Sequence, residues 1–507
     1  VRAIVCVFAA LMATPSLLPA AHSAGREVLR LVWWTDVGFP TPFAFSTVGP
    51  GGVVRVSLLY DTLVWKDHTG VIPWLATSWR IADGGRRITF QLHPDAVWHD
   101  GRPVTAGDVR FSFEYYRLHP FLWTDTSVVE KVVVEGPRTA TIVLREPYAP
   151  FLEDVAGTVP IIPAHIWRGV EEPRRAQALS MAVGSGPYRL ADYRPGSGDY
   201  RFVGIPHYFR GRPRFEEIRY TVLPAARQIL AVQSGQVDAA MADTYDVVGT
   251  FAHHEYLRVW ITEPLSIARL LINTDLTPLN RRAVRQAIAH GINRTQLATL
   301  ITRGPGLAGS PGVVPPGDPW YNPRIRAYPH DPARARALLE GAGLRPFHLE
   351  LLTSPSPVVP VLQQMLREAG IELSVRTVDA QTRLALVAEG RFQVTLTFHI
   401  GAGGDPDYLR RWFTGEEANQ FAQGRPFAHP EFERLARAQA RTLDPQARRR
   451  IVHEMQAILA EELPTIPLYY RRFYWVYDSR KFTPVATRGG VMNGIPLIDN
   501  KLAFLMR

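Results

Sequence analysis

The sequence predicts an α/β protein divided into two or three compact units, and three observations carry that reading. At 507 residues the chain is too long for a single hydrophobic core. From Phe347 to Phe398 strand-like and helix-like stretches follow in the order β-α-β-α-β, which argues for a layered lobe with a largely parallel sheet. Between Trp65 and Ile162 the pattern is instead one of hairpins and short elements, so a second architecture lies within the first half.

The first residues, VRAIVCVFAALMATPSLLPAAHSAGRE, place Arg2 ahead of an apolar run that is too short to span a bilayer. Small residues follow, which predicts an export leader over 1–24, cut near Ser23 or Ala24. Cys6 is the only cysteine. It lacks the preceding pattern of lipoprotein processing, and its loss with the leader would exclude disulfides, thiolate metal sites and a cysteine nucleophile. The net charge is +10. The basic residues are nearly all arginine and are scattered among acids, with short clusters such as Arg448–Arg450 and Arg471–Arg472. A solvated surface is expected, not a nucleic-acid stripe.

Val28–Trp34 reads as a buried strand, and Gly52–Val64 has helical spacing. Ser78–Ala82 and Arg86–Leu92 form a hairpin, since Asp83-Gly84-Gly85 supplies the positive φ of a tight turn. Another turn falls at His99-Asp100-Gly101. Thr105 stands three residues before Asp108, the spacing of a capping box that opens a helix with Phe111, Phe113 and Tyr115. Lys131–Glu135 pairs with Thr139–Arg145 around Gly136-Pro137. Pro224–Ser234 is a helix closed by Gly235, with a strand at Val237–Met241. In the second half Asp331-Pro332 and Asp444-Pro445 each set an N-cap followed by proline at N1. Helices are expected at Val358–Ala369, Gln381–Glu389, Glu431–Arg441 and Pro445–Glu462. Ile466–Tyr477 reads as one strand returning to the first unit.

The stretch Leu75–Phe113 contains LA-x-SW, then WHDG-x-P-x-TA-x-DV-x-F. This string resembles the signature of the family 5 extracellular solute-binding proteins, the oligopeptide-, dipeptide- and nickel-type receptors of bacterial ABC importers. Gly184-Ser185-Gly186-Pro187-Tyr188 resembles the family's G-T/S-G-P-F/Y turn, and Leu270–Asn273 with the helix that follows resembles its "NT…P…VRQA…I-R" run. The resemblance implies an α/β, two-lobed periplasmic-binding-protein type II fold with an inserted subdomain in lobe 1. Lobe 1 would span 25–268, with the insertion over about 56–183. Lobe 2 would span 269–465, and 466–507 would return to lobe 1. The strands crossing between lobes would lie near Leu270–Asn273 and Ile466–Tyr470.

The function so implied is capture of a peptide-like or similar small polar solute by closure of the lobes, then delivery to an ABC permease in the inner membrane. The protein would be periplasmic and monomeric, with no cofactor. The loop after the Phe392–Phe398 strand, His399–Tyr408, is the most informative wall, because ligands bind at strand carboxyl ends in α/β sheets. Peptide-binding relatives resemble "G-W-x-A-D-Y-x-D-P" here, their first Asp pairing with the peptide ammonium. Aligned on Asp405-Pro406, that position is Ala402, so the acidic clamp is missing. Nickel-type relatives resemble "T-W-G-A-x-Y-D-P"; Gly401-Ala402 fits, but Ile400 and Gly404 replace the Trp and Tyr. The chain departs from both patterns. Expected ligand-binding residues are Trp34, Phe43, Asp243, Tyr245, His399, Ala402, Asp405 and Asp407. A nickel-chelate, opine- or sugar-type ligand is the alternative, and a secreted chaperone or signalling receptor on the same scaffold stays open.

No catalytic reading survives. His253-His254-Glu255 and His453-Glu454 do not complete H-E-x-x-H, and Gly401–Gly404 lacks the Lys-Ser/Thr of a phosphate loop. Around Ser185, G-x-S-x-G is not met.

Overall fold

The computed structural model describes residues 27–45, 51–121, 124–264, 266–400, 404–414, 427–481, 484 and 501–505. The expected leader and Ala402 lie outside them. Val28–Trp33 is apolar at nearly every position because both its faces are covered. Leu29, Leu31 and Trp33 join one core and Val32 another. It is the central strand of a seven-stranded mixed sheet, parallel to Glu217–Val222 on one side and to Ala239–Ala242 on the other.

The inserted subdomain is a four-stranded antiparallel sheet, in the order Ala76–Ala82, Arg87–Leu92, Thr139–Leu144, Val129–Gly136. Its first hairpin turns where Asp83, Gly84 and Gly85 all take positive φ, at 51°, 56° and 95°. The helix Ala106–Leu118 packs on the sheet and opens with the full capping box. Thr105 Oγ1 accepts from Asp108 N, and the Asp108 carboxylate accepts from Thr105 N at 2.9 Å. The subdomain's Phe90, Ile142 and Tyr116 belong to the same hydrophobic core as Leu29 and Trp33, so it is fused to the first lobe.

The first helix, Gly51–Leu59, is shorter than its spacing predicts. Asp61 ends it. Its buried carboxylate accepts from Trp74 Nε1 (2.7 Å), Tyr208 OH (2.8 Å), Lys501 Nζ (2.9 Å) and Ser185 Oγ (3.0 Å), and four partners from four segments pull the chain off the helix axis. The Gly184-Ser185-Gly186 turn seals the exposed helix end, Gly186 N donating to Leu59 O at 2.8 Å. A Cβ on Gly184 would sit 1.8 Å from that carbonyl oxygen, so only glycine permits the approach.

His99 of the WHDG string locks this turn. Gly184 N donates to its Nδ1 at 3.2 Å, which puts the ring proton on Nε2, and Nε2 donates to Gly186 O at 3.0 Å. Burial pushes the imidazole down to about 4 from an ordinary 6.5. Between those values the unfolded chain binds a proton that the folded chain refuses. The His99 contribution is therefore complete above pH 6.5 and is lost as pH falls toward 4, about 3 kcal/mol in all. Urea unfolding at pH 7 and pH 4.5 should show this loss, and His99→Gln should flatten it while lowering stability at pH 7.

The second lobe is a six-stranded sheet in the order Leu307–Ala308, Thr465–Arg471, Ser266–Ile272, Val394–Ile400, Phe347–Thr353, Ile371–Thr377. Only the last three strands run parallel; Ser266–Ile272 and Thr465–Arg471 run against their neighbours. The sheet is thus mixed where the β-α-β-α-β order predicts a largely parallel one, because Ser266–Ile272, arriving from the first lobe, enters from the opposite end. The helix caps fall as expected: Asp331 accepts from Arg334 N (2.8 Å) and Asp444 from Ala447 N (2.7 Å).

The apolar run expected as a single returning strand is two. Thr465–Arg471 lies in the second sheet and Tyr474–Asp478 in the first, so the return begins past Arg471 and not at Ile466. The outward passage runs from Leu257–Ile261 in the first sheet to Ser266–Ile272 in the second. The two passages pair with each other, Thr262 N donating to Phe473 O (3.0 Å) and Phe473 N to Thr262 Oγ1 (2.9 Å). At that pair the two passages between the sheets meet.

Candidate functional site

The lobes face each other and are bridged at two ends. At one end, Tyr245 N donates to Thr302 O (2.9 Å), and Arg471 pairs with Asp243 (2.7 Å). A Cβ on Gly304 would strike Tyr245 at 2.5 Å, so that glycine lets the side chain of one lobe approach the backbone of the other.

At the other end a buried polar network joins the second lobe to the inserted subdomain. Asp405 receives both Nη1 and Nη2 of Arg448 at 2.6 Å. Arg448 also donates to Gln439 Oε1, and Gln439 Nε2 donates to Asp407 Oδ1 at 2.6 Å. Asp407 is gripped by Arg410 through Nε (2.8 Å) and Nη2 (2.7 Å). From the inserted subdomain, Tyr148 OH lies 2.9 Å from Asp407 and 3.1 Å from Asp154, while Arg411 reaches Asp154 at 3.4 Å. Ala149 N donates to Ala440 O at 2.6 Å beside it.

The charges in this network are set by burial and by counter-ions. Burial alone would raise Asp407, but Arg410, Arg411 and Arg448 more than offset it and hold its carboxyl well below the usual range. Burial raises Asp154 despite Arg411, and pushes Glu153 up against the pull of Lys66. Lys66 is lowered by burial, with Glu153, Asp154 and Asp405 opposing the shift.

The residues singled out in the sequence fall into three groups. Asp243 and Tyr245 make contacts between the lobes, while Trp34 and His399 pack each within its own lobe. Trp34 follows the first strand and stacks on Trp33 with ring centres 4.1 Å apart. Trp33 is the member of the pair wholly in the core. Asp243 and Tyr245 follow Ala239–Ala242 and touch the second lobe as described. His399 is buried with its ring 4.0 Å from that of Trp412.

Phe43, Asp405 and Asp407 form a second group. Phe43 packs among Tyr115, Tyr116 and Trp167. The hollow it borders, about 410 Å³, is otherwise lined by residues of 118–120 and 171–175, with none from the second lobe. The two aspartates are engaged by Arg448 and Arg410, Asp407 also by Gln439 and Tyr148, so they frame the loop as buried ion pairs. Ala402 cannot be placed, lying outside the described residues.

Sequence reasoning missed Arg269, Lys66, Tyr148 and Arg411. A signal existed for the first: SIARLLI places one guanidinium in a strand otherwise made of apolar and small residues, and all seven are buried. The others depend on pairings across lobes that no local pattern reveals. Among the described residues, no group of three or more His, Cys, Asp and Glu is arranged to hold a metal ion. None of their helices is long and apolar enough to cross a membrane.

Comparison with known proteins agrees with this geometry. The chain is 27% identical to a di/tripeptide-binding protein 4 of Pseudomonas aeruginosa, over 96% of each chain. It is 24% identical to the nickel-binding periplasmic protein of Escherichia coli, over 91% of this chain and 92% of the other. The solved DppA of Helicobacter pylori, in complex with the peptide STSA, superposes with a TM-score of 0.78 at 22% identity, covering 92% of this chain and 96% of that one. These neighbours share the two-lobed type II fold. The family model for the middle of bacterial extracellular solute-binding proteins, family 5, matches residues 70–421. The chain belongs to that family, whose members are binding proteins and not enzymes.

Proposed function

We propose that this protein is the receptor of an ABC importer, holding a peptide-like or similarly sized polar solute between its lobes and passing it to an inner-membrane permease. The observation that carries the reading is the paired crossing between the lobes. Two sheets, each with its own main core, are joined by two short passages paired at Thr262 and Phe473, and in this reading the lobes swing about that pair once the contacts at Tyr245 and Asp407 part. A guest touching both lobes favours the closed form. Moving an open-to-closed ratio from 1:99 to 99:1 takes about 5.5 kcal/mol of differential affinity. A micromolar ligand carries about 8 kcal/mol, so ordinary contacts suffice.

In this reading Trp34, Asp243, Tyr245 and His399 meet the guest, the protein acts as a monomer, and it works in the periplasm after losing its leader. The di/tripeptide-binding and peptide-bound relatives favour a peptide-like guest. With Ala402 at the position of the ammonium clamp, Ala402→Asp should tighten binding of free-amine dipeptides by about tenfold, the range of one charge-assisted pair. Calorimetric titration checks this, and no gain would show that the loop is aligned wrongly. Mass spectrometry of the cargo released from the purified protein tests the function itself. A peptide-like solute is expected; a metal chelate, or a compound turned over on standing, would contradict it.

A further inference from the structure

One face of the second sheet holds a charge that nothing in the described chain balances. Arg269 sits opposite Thr397 in the antiparallel pairing and is 1% exposed. Its guanidinium lies 4.7 Å from the ring centre of Trp412 and 5.5 Å from that of Phe413. Yet Nε and Nη1 have no hydrogen-bond partner among the described residues. Aromatic faces soften a buried cation but do not take its N–H groups. Burial lowers the guanidinium to about 10, with no acid pulling it back. Lys66, equally buried, differs in having Glu153, Asp154 and Asp405 around it.

Two more buried polar atoms belong to the neighbouring strand and to the end of the next, and both are unpartnered among the described residues: Thr395 Oγ1 and Ser354 Oγ. Thr395 is the partner of Leu271, two residues along the strand from Arg269, and also of Leu352. Ser354 lies two residues beyond Leu352, where that strand ends. On this face the apolar contacts divide. Ile267 packs with Trp412 and Phe413, Leu271 packs with Leu352, Leu386 and Val387, and Arg269 falls between the two groups. A planar fork of donors, with unpartnered hydroxyls on the strands beside it, matches a carboxylate. The position lies by the carboxyl end of Phe347–Thr353, an end of the kind where α/β sheets receive ligands, and midway along Val394–Ile400.

We propose that Arg269, with Ser354 and Thr395, forms an anion subsite that takes a carboxylate of the bound solute. The proposal rests on the receptor reading and gives the guest a charge: acid is required, and free amine is not.

The test is calorimetric titration of the purified protein with alanyl-leucine, N-acetyl-alanyl-leucine and alanyl-leucinamide. The two acids should bind within about threefold of each other, and the amide about tenfold or more weaker. Arg269→Met should abolish that acid preference, Arg269→Lys should keep part of it, and Arg269→Gln replaces the Met variant should that one not fold. A merely structural cation–π role would leave the acid preference intact in the variant, and that result overturns the proposal. Equal binding of acid and amide by the unaltered protein also overturns it. If none of the three compounds binds, the peptide-like reading fails and the subsite is judged separately. Succinate, against chloride of equal ionic strength, should then raise the unfolding temperature of the unaltered protein and not that of Arg269→Met, and equal shifts would overturn the subsite.

Discussion

Replacing Asp407 with alanine should cost about 3–5 kcal/mol, the usual penalty for breaking a buried ion pair from one side. Arg410, Gln439 and Tyr148 all converge on this carboxylate and would be left without it in a region closed to water. Asp407→Asn keeps the acceptor and loses the charge, so its cost should be smaller. Urea unfolding measures both. Because Tyr148 belongs to the inserted subdomain and Asp407 to the second lobe, the alanine variant should also open more readily. Glu146 and Arg441 make a half-exposed contact between the same two units. Removing it should change stability by less than about 1 kcal/mol, since solvent screens such pairs. A variant of Asp407 that behaved like the Glu146 one would show that the network does not bind the units together.

Lys501→Met should be about as damaging, again about 3–5 kcal/mol. Lys501 is wholly buried, its ammonium 2.9 Å from Asp61 and over the rings of Trp65 and Trp74 at 4.0 and 4.8 Å. Burial lowers its affinity for the proton, while Asp61 holds the charge in place. The same segment is tied down by Arg214 N donating to Phe504 O at 2.8 Å. Loss of the ammonium leaves Asp61 charged with only neutral donors. Asp61→Asn combined with Lys501→Met should therefore cost much less than the sum of the two single changes. Chemical denaturation of the four proteins gives the coupling, and a purely additive result would mean that the pair is not the anchor.

What could be read from the sequence was what local chemistry determines. The Asp83-Gly84-Gly85 turn, the Thr105–Asp108 box and the aspartate-proline helix starts each need only a few neighbouring residues, and each is found where its pattern stands. The alternation after Phe347 likewise marked the second lobe. Features set by distant partners were not legible. Gly52–Val64 has helical spacing throughout, but Asp61 is claimed by residues as far away as Lys501. The aromatic run Ile466–Tyr477 shows no break, although Arg472-Phe473 passes from one sheet to another. Asp405 and Asp407 looked free because their arginines, Arg448 above all, are defined only by how helices pack on the loop. Arg269 is legible as an anomaly but not as a site, since a charge within a buried strand states a cost without naming what offsets it.

The most direct measurement of the central claim is small-angle scattering of the protein stripped of its cargo, before and after that same cargo is returned. Swinging about the Thr262–Phe473 hinge predicts a smaller radius of gyration when the cargo is restored, saturating at one equivalent. A profile that stayed the same through saturation would contradict it.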